Sequence, residues 1–307
     1  MSEQKVLEAP VEHSLAPFTF ARATKAHVEH PESNRDALLV DAESLLAAVC
    51  DGVGDMSGAR QAARLAAQTV KKHWRNLLAN LIPGAEPDLE ELARQLLEEA
   101  NRAVLALDKK LLRKERKTDP DITCCAATTI ALALLYPRHN GYLMAYAHAG
   151  DSRIYLLCQG EPIRRLTADD GYFTWKMGKG ELNEQDALRI DQASRAEELT
   201  AEEREHFDKR NGISQSLWKE DLELHLGQIE LCQHDRILLC TDGIHDNLTD
   251  AELEEILRSG ARTTVARKLL QRAIERSQQD ENIFIRAKKD DMSALVITCH
   301  CSPHQCV

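Results

Sequence analysis

Short apolar runs that begin or end on an aspartate recur four times in this chain, and they constrain its fold more than any other feature. Ala37–Val40 follows Asn34-Arg35-Asp36, and Leu45–Cys50 runs into Asp51-Gly52. Ile237–Thr241 runs into Asp242-Gly243, and the last run, Ala294–Cys299, follows Lys289-Asp290-Asp291. One Asp-Gly after a strand is an ordinary turn former. Four strand-end aspartates, two of them in the form apolar-Cys-(Thr)-Asp-Gly, suggest strands whose ends converge. Carboxylates fixed there repel one another, and divalent cations relieve the repulsion. Magnesium and manganese take oxygen ligands in octahedral array and leave positions to water. Glycine beside the aspartate lets the backbone come close, so that its carbonyl can add a further oxygen ligand.

The stretches between these runs alternate strand and helix signals. Ala63, Ala67, Val70, Trp74, Leu77 and Leu81 recur at helical spacing, and Pro83-Gly84 stops that helix. A second helix is expected from Asp88 to Leu112, with Glu90, Arg94, Glu98 and Glu99 on its solvated face. Cys124–Tyr136 is apolar apart from Thr128 and Thr129 and ambiguous by periodicity alone. The turn Pro137–Gly141 and the following run Tyr142–Ala149 favour a hairpin, continued by Ile154–Cys158. Thr249-Asp250-Ala251-Glu252 is a capping box opening a helix to about Arg258, and Val265, Leu269 and Ala273 mark another. Asp169–Leu217 is polar and charge-rich and reads as an insertion. One domain over 1–307 is expected, with an insertion at 169–217 and a mobile tail over 300–307.

Composition narrows the use of these carboxylates. The formal net charge is −11, from 50 Asp and Glu against 39 Lys and Arg. That balance argues against nucleic-acid and anionic-membrane partners, which need clustered basic residues. The longest apolar run is too short to span a bilayer, and Met1–Pro17 lacks the apolar stretch of a leader, so a cytoplasmic protein is expected. Nine cysteines, several inside apolar runs, read as small buried hydrophobes in a reducing compartment. Cys299, His300, Cys301, His304 and Cys306 are zinc-type ligands, but their spacing is not that of a closed zinc site.

At this point the chain resembles the metal-dependent protein serine/threonine phosphatases of type 2C, over about Thr24 to Thr298. Asn34-Arg35-Asp36-Ala37 is similar to the family's Asn-Glu-Asp segment, and Asp51-Gly52-Val53-Gly54-Asp55 to its Asp-Gly-x-Gly-Gly loop. Cys125–Leu132 resembles the Gly-Thr-Thr strand, and Gly150-Asp151-Ser152-Arg153 matches the Gly-Asp-Ser-Arg turn. Leu166-Thr167-Ala168-Asp169-Asp170 resembles Leu-Thr-x-Asp-His, and Asn211-Gly212-Ile213-Ser214 the end of the family's flap. Thr241-Asp242-Gly243 and Asp290-Asp291-Met292-Ser293 resemble Ser-Asp-Gly and Asp-Asn-Met-Ser. Each motif alone is weak; eight in the family's order are specific.

The resemblance implies an α+β fold: a sandwich of two antiparallel sheets flanked by helix pairs, in four layers. It implies that Cys124–Tyr136 is a strand. It implies metal ligands at Asp36, Asp51, the carbonyl of Gly52, Asp242 and Asp290, with Asp51 shared by two Mg²⁺ or Mn²⁺ ions and Asp151 able to help hold a third. The implied reaction is hydrolysis of phosphoserine or phosphothreonine in proteins by a hydroxide bridging the two metals, with Asp51 and Asp242 acting through it. Three departures bear on this. Arg35 replaces the Glu before the first metal Asp, Pro31 stands where the family's phosphate-binding Arg would fall, and Asp170 replaces a His. Arg35 and Arg22 are the candidates to replace that arginine. Val53 stands at the position of the His that some members carry as a general acid. The alternative these departures raise is a catalytically weak relative that binds phosphoproteins as a regulator.

Overall fold

The structure, a computed structural model, describes residues 16–28, 30–54, 56–82, 86–139 and 141–300. Its strands form two five-stranded sheets with every neighbouring pair antiparallel. One sheet has the order β1 (Phe18–Lys25), β10 (Met292–Cys299), β9 (Arg236–Cys240), β6 (Arg153–Leu157), β7 (Arg164–Arg165). The other has the order β2 (Ala37–Asp41), β3 (Leu46–Cys50), β4 (Ile130–Arg138), β5 (Gly141–Ala149), β8 (His225–Leu231).

Strand periodicity sends alternate side chains to opposite faces, and here both faces are covered. Ala47, Val49, Ala131, Ala133, Ile154, Leu239 and Leu295 meet between the sheets. Their neighbours Ala48, Cys50, Leu132 and Leu134 pack on α1 (Ala59–Ala79) and α2 (Leu89–Glu115). On the far side Leu238, Cys240, Ala294 and Val296 pack on α7 (Asp250–Ser259) and α8 (Val265–Ser277). The result is the expected four layers, helix pair on sheet on sheet on helix pair. Each large aliphatic side chain buried this way contributes roughly 1.5–3 kcal/mol. Trp74 is fully buried on α1 and ties its indole N–H to the Ser44 carbonyl at 2.7 Å. Asp88 caps α2, and Thr249 with Glu252 forms both bonds of the expected capping box.

Several boundaries differ from the sequence reading. β1 and β8 were not expected. Each lies at a sheet edge with polar residues along its exposed positions, so neither shows a continuous apolar run. Within Cys124–Tyr136 the strand begins only at Ile130. The stretch before it is held by side chain and loop: Cys125 and Ala126 donate backbone N–H groups to Asp108 at 2.6 and 3.0 Å. Pro137 belongs to β4, not to a turn; on the β3 side the last bond is from the Leu135 N–H to the Leu45 carbonyl at 2.9 Å, so no N–H is demanded at 137. Asp242-Gly243 opens a one-turn helix, α6 (Asp242–His245). The polar segment folds into α3 (Tyr172–Gly178), α4 (Glu184–Asp191) and α5 (Ala201–Asp208), with Ile190, Ala193, Phe207 and Ile285 as its own small apolar cluster. Arg153 of β6 fastens it to the sandwich, pairing with Asp169 at 2.6 Å and Asp191 at 3.2 Å. Pro83-Gly84, Asp55, Cys301, His304 and Cys306 lie outside the described residues, whereas Cys299 is buried in β10 and His300 donates its N–H to the Pro17 carbonyl.

Candidate metal centre

Register brings the aspartates together. Ala37 stands opposite Cys50, so Asp36 and Asp51 leave one end of the β2–β3 pair. Ala294 and Arg153 both stand opposite Cys240, so Asp290, Asp151 and Asp242 leave the corresponding end of β10, β6 and β9. They open on a cleft of about 700 Å³ lined by Asp51, Gly52, Asp151, Asp242 and Asp290, with Arg35 and Lys288 beside them. Asp36 lies behind this wall, 7% exposed, with Oδ2 accepting from Thr241 at 2.9 Å.

Each carboxylate is held by chemistry that the motifs supply. The Asp51 carbonyl accepts from the Thr128 hydroxyl at 2.7 Å and the Thr129 N–H at 2.8 Å. Thr129 Oγ1 in turn lies 3.2 Å from the Asp51 N–H. Gly52 has no room for a side chain, since a Cβ would stand 2.6 Å from the Ala59 carbonyl and 3.0 Å from that of Arg35. Asp170, which replaces the expected His, clamps the Gly150-Asp151 turn: its carboxylate accepts from the Gly150 N–H at 2.9 Å and its own N–H donates to the Gly150 carbonyl at 3.1 Å. Asp291 accepts from the N–H groups of His27 and Arg35 at 2.7 and 2.8 Å, fixing the entry to β2.

The cluster is electrostatically strained. Burial, followed by the charges of Asp242, Asp36, Asp290 and Asp151, pushes Asp51 well above the usual carboxylate range. Burial pushes Asp36 up to about 8, against its hydrogen bonds to Ser293 and Thr241. Asp151 is raised by burial and by Asp242 and Asp169. Asp36 Oδ1 and Asp242 Oδ1 are buried with no hydrogen-bond partner among the described residues. A buried oxygen left unpaired is costly. An all-oxygen donor set with two orphaned carboxylate oxygens and a close-approach glycine fits hard divalent cations. Among the described residues, no three His, Cys, Asp or Glu side chains yet close around one point.

The sequence reading missed a cation in this cluster. Lys288 Nζ contacts Asp242 and lies 2.8 Å from Asp246 and 3.0 Å from Asp290. Burial opposes its charge, but Asp242, Asp246 and Asp290 outweigh that and hold the amine well above the usual lysine range. Asp246 was missed as well. It follows Asp242 by four residues, the spacing that puts two side chains on one helix face, and that spacing was the available signal. Of the two arginines considered for phosphate, Arg35 lines the cleft, its guanidinium donating to the Gly54 carbonyl and meeting His30 Nε2 at 2.7 Å. Arg22 sits exposed on β1 and does not line the cleft. Asn211 and Ile213 reach the cleft from the insertion. His148 is a packed strand histidine, 1% exposed.

Comparison with known proteins agrees with this geometry. The family model described as Protein phosphatase 2C matches residues 24–277, a span that takes in Asp36, Asp51, Asp151 and Asp242. The serine/threonine phosphatase stp of Listeria innocua is 22% identical over 75% of this chain and 78% of its own. The crystal structure of the Mycobacterium tuberculosis serine/threonine phosphatase PstP/Ppp superposes with a TM-score of 0.68 at 21% identity, over 92% of this chain and 99% of that one. The catalytic domain of PstP in complex with two manganese ions superposes with a TM-score of 0.63 at 21% identity, with the same coverage of each chain. At these identities the solved structures speak for the fold.

Proposed function

The chain belongs to the protein phosphatase 2C family, and on that premise we propose that it hydrolyses phosphoserine and phosphothreonine in proteins at the strand-end cleft. The observation that carries this reading is the convergence of Asp51, Asp151, Asp242 and Asp290 from strands of both sheets on one cleft, with Asp36 buried behind it, under mutual repulsion that cations relieve.

In this reading Asp36, Asp51, the Gly52 carbonyl, Asp242 and Asp290 would hold two divalent ions, Mg²⁺ or Mn²⁺. When bound, the ions supply the acidity that makes water nucleophilic at neutral pH and the charge that offsets the phosphoryl oxygens. The remaining work belongs to the chain. Arg35, steadied by Gly54 and His30, binds the phosphoryl group in place of the arginine missing at Pro31. Thr128 and Thr129 keep the Asp51 loop from moving, and Asp170 keeps Asp151 facing the cleft. Val53 lines the cleft and offers no proton, so the leaving alkoxide takes one from water. The 169–217 insertion, present at the rim through Asn211 and Ile213, shapes the choice of phosphoprotein. A signalling role in the cytoplasm fits Cys50, Cys125 and Cys240, which are buried as small hydrophobes. Among the described residues no helix is long and apolar enough to cross a membrane. No observation favours a catalytically weak phosphoprotein-binding regulator.

The test is hydrolysis of p-nitrophenyl phosphate and of a phosphothreonine peptide with Mn²⁺, Mg²⁺ or EDTA. Turnover of both with either ion, abolished by EDTA, is expected. Turnover that survives EDTA, or none with either ion, would overturn the reading.

A further inference from the structure

Lys288 places its amine among carboxylates of the cluster. An ammonium has three N–H donors. Those of Lys288 face three different carboxylates, Asp242, Asp246 and Asp290, so its donor capacity is matched by the oxygens around it. Its position is set by the backbone. The fully buried Asn247 side chain accepts from the Lys288 N–H at 3.1 Å and donates to the Lys288 carbonyl at 2.9 Å, while also donating to the Gly243 carbonyl at 2.9 Å. One amide thus locks the residue carrying the amine to the helix turn carrying Asp242 and Asp246.

We propose that Lys288 is a built-in cation of the centre, its ammonium, held by Asp242, Asp246 and Asp290, supplying the charge that a third divalent ion would otherwise bring, so that the chain binds two ions and not three. The inference rests on the phosphatase reading above. Charge supports it: Arg210, with Nε 3.4 Å from Asp246, adds a second fixed positive charge. Lys288 and Arg210 thus already offset part of the carboxylate charge that a third divalent ion would answer, and such an ion would have to displace a paired ammonium.

The test counts Mn²⁺ ions bound per chain at saturation, by electron paramagnetic resonance of free ion and by calorimetry. The full chain, Lys288→Met and Lys288→Arg are compared, with circular dichroism confirming that each is folded. Two ions are expected for the wild type and for Lys288→Arg, and three for Lys288→Met. Adding Asp151→Asn to Lys288→Met is expected to return the count to two. A wild-type count of three, or a folded Lys288→Met that still binds two, overturns the proposal and leaves the phosphatase reading standing. A wild-type count of zero overturns both.

Discussion

Asp51 serves binding at the expense of folding. Its carboxylate is buried beside Asp242, Asp36, Asp290 and Asp151, so at neutral pH without metal its charge opposes the folded state. Asparagine keeps the shape and removes the charge. Asp51→Asn should therefore raise the metal-free thermal midpoint by about 2–4 °C, equivalent to roughly 1 kcal/mol in a chain of this size. It should also cut metal-dependent turnover by more than about 100-fold, since even residues supporting a metal ligand typically cost 10–100-fold. A midpoint that falls, or turnover that persists, would mean that Asp51 is not held in a strained cluster. At this scale much of the site was legible. Asp36, Asp51, Asp242 and Asp290 announce themselves because each interrupts an apolar run. Lys288 does not, because a lysine next to Lys289 in a polar loop looks like any solvated charge until the fold turns its amine inward.

Elements were legible in proportion to how completely they are buried. Helices α1, α2, α7 and α8 each carry one apolar face, and their periodicity survives in the sequence. The central strands, covered on both faces, read as continuous apolar runs, which explains why β4 could not be told from a helix until the hairpin was considered. The edge strands β1 and β8 left no such trace. The β5–β8 pairing nevertheless sets up a measurable effect, because it stacks His148 on His225 with ring centroids 4.8 Å apart. Burial, then the neighbouring His225, moves the His148 imidazole from 6.5 down to about 4. Between those values the unfolded chain binds a proton that the folded chain refuses. Stability from this residue is therefore present above about pH 6.5 and is lost as pH falls toward 4, by up to about 3 kcal/mol. His148→Leu should lose less stability than the wild type between pH 7 and pH 4.5 in thermal melts. Parallel slopes would remove His148 as a source of acid sensitivity.

For the molecule as a whole, the net charge of −11 says little about the cleft. Carboxylates such as Glu90 and Glu98 line the solvated face of α2, whereas five aspartates meet where β2, β3, β6, β9 and β10 end or begin. The sandwich matters to function because it delivers loops from two sheets to one end. Neither sheet alone supplies both Asp51 and Asp242. The recurrence of strand-end aspartates suggested that convergence, and the resemblance of eight motifs in order said which of them take part, since no single strand-end aspartate says where its partners lie. The central claim is that these strand ends form a two-ion centre, and manganese anomalous scattering from crystals of the full chain grown with MnCl₂ tests it most directly. Two peaks are predicted, between Asp36, Asp51, Asp242 and Asp290, with the Asp51 carboxylate between them. Peaks elsewhere, or none in that cleft at saturating manganese, would contradict it.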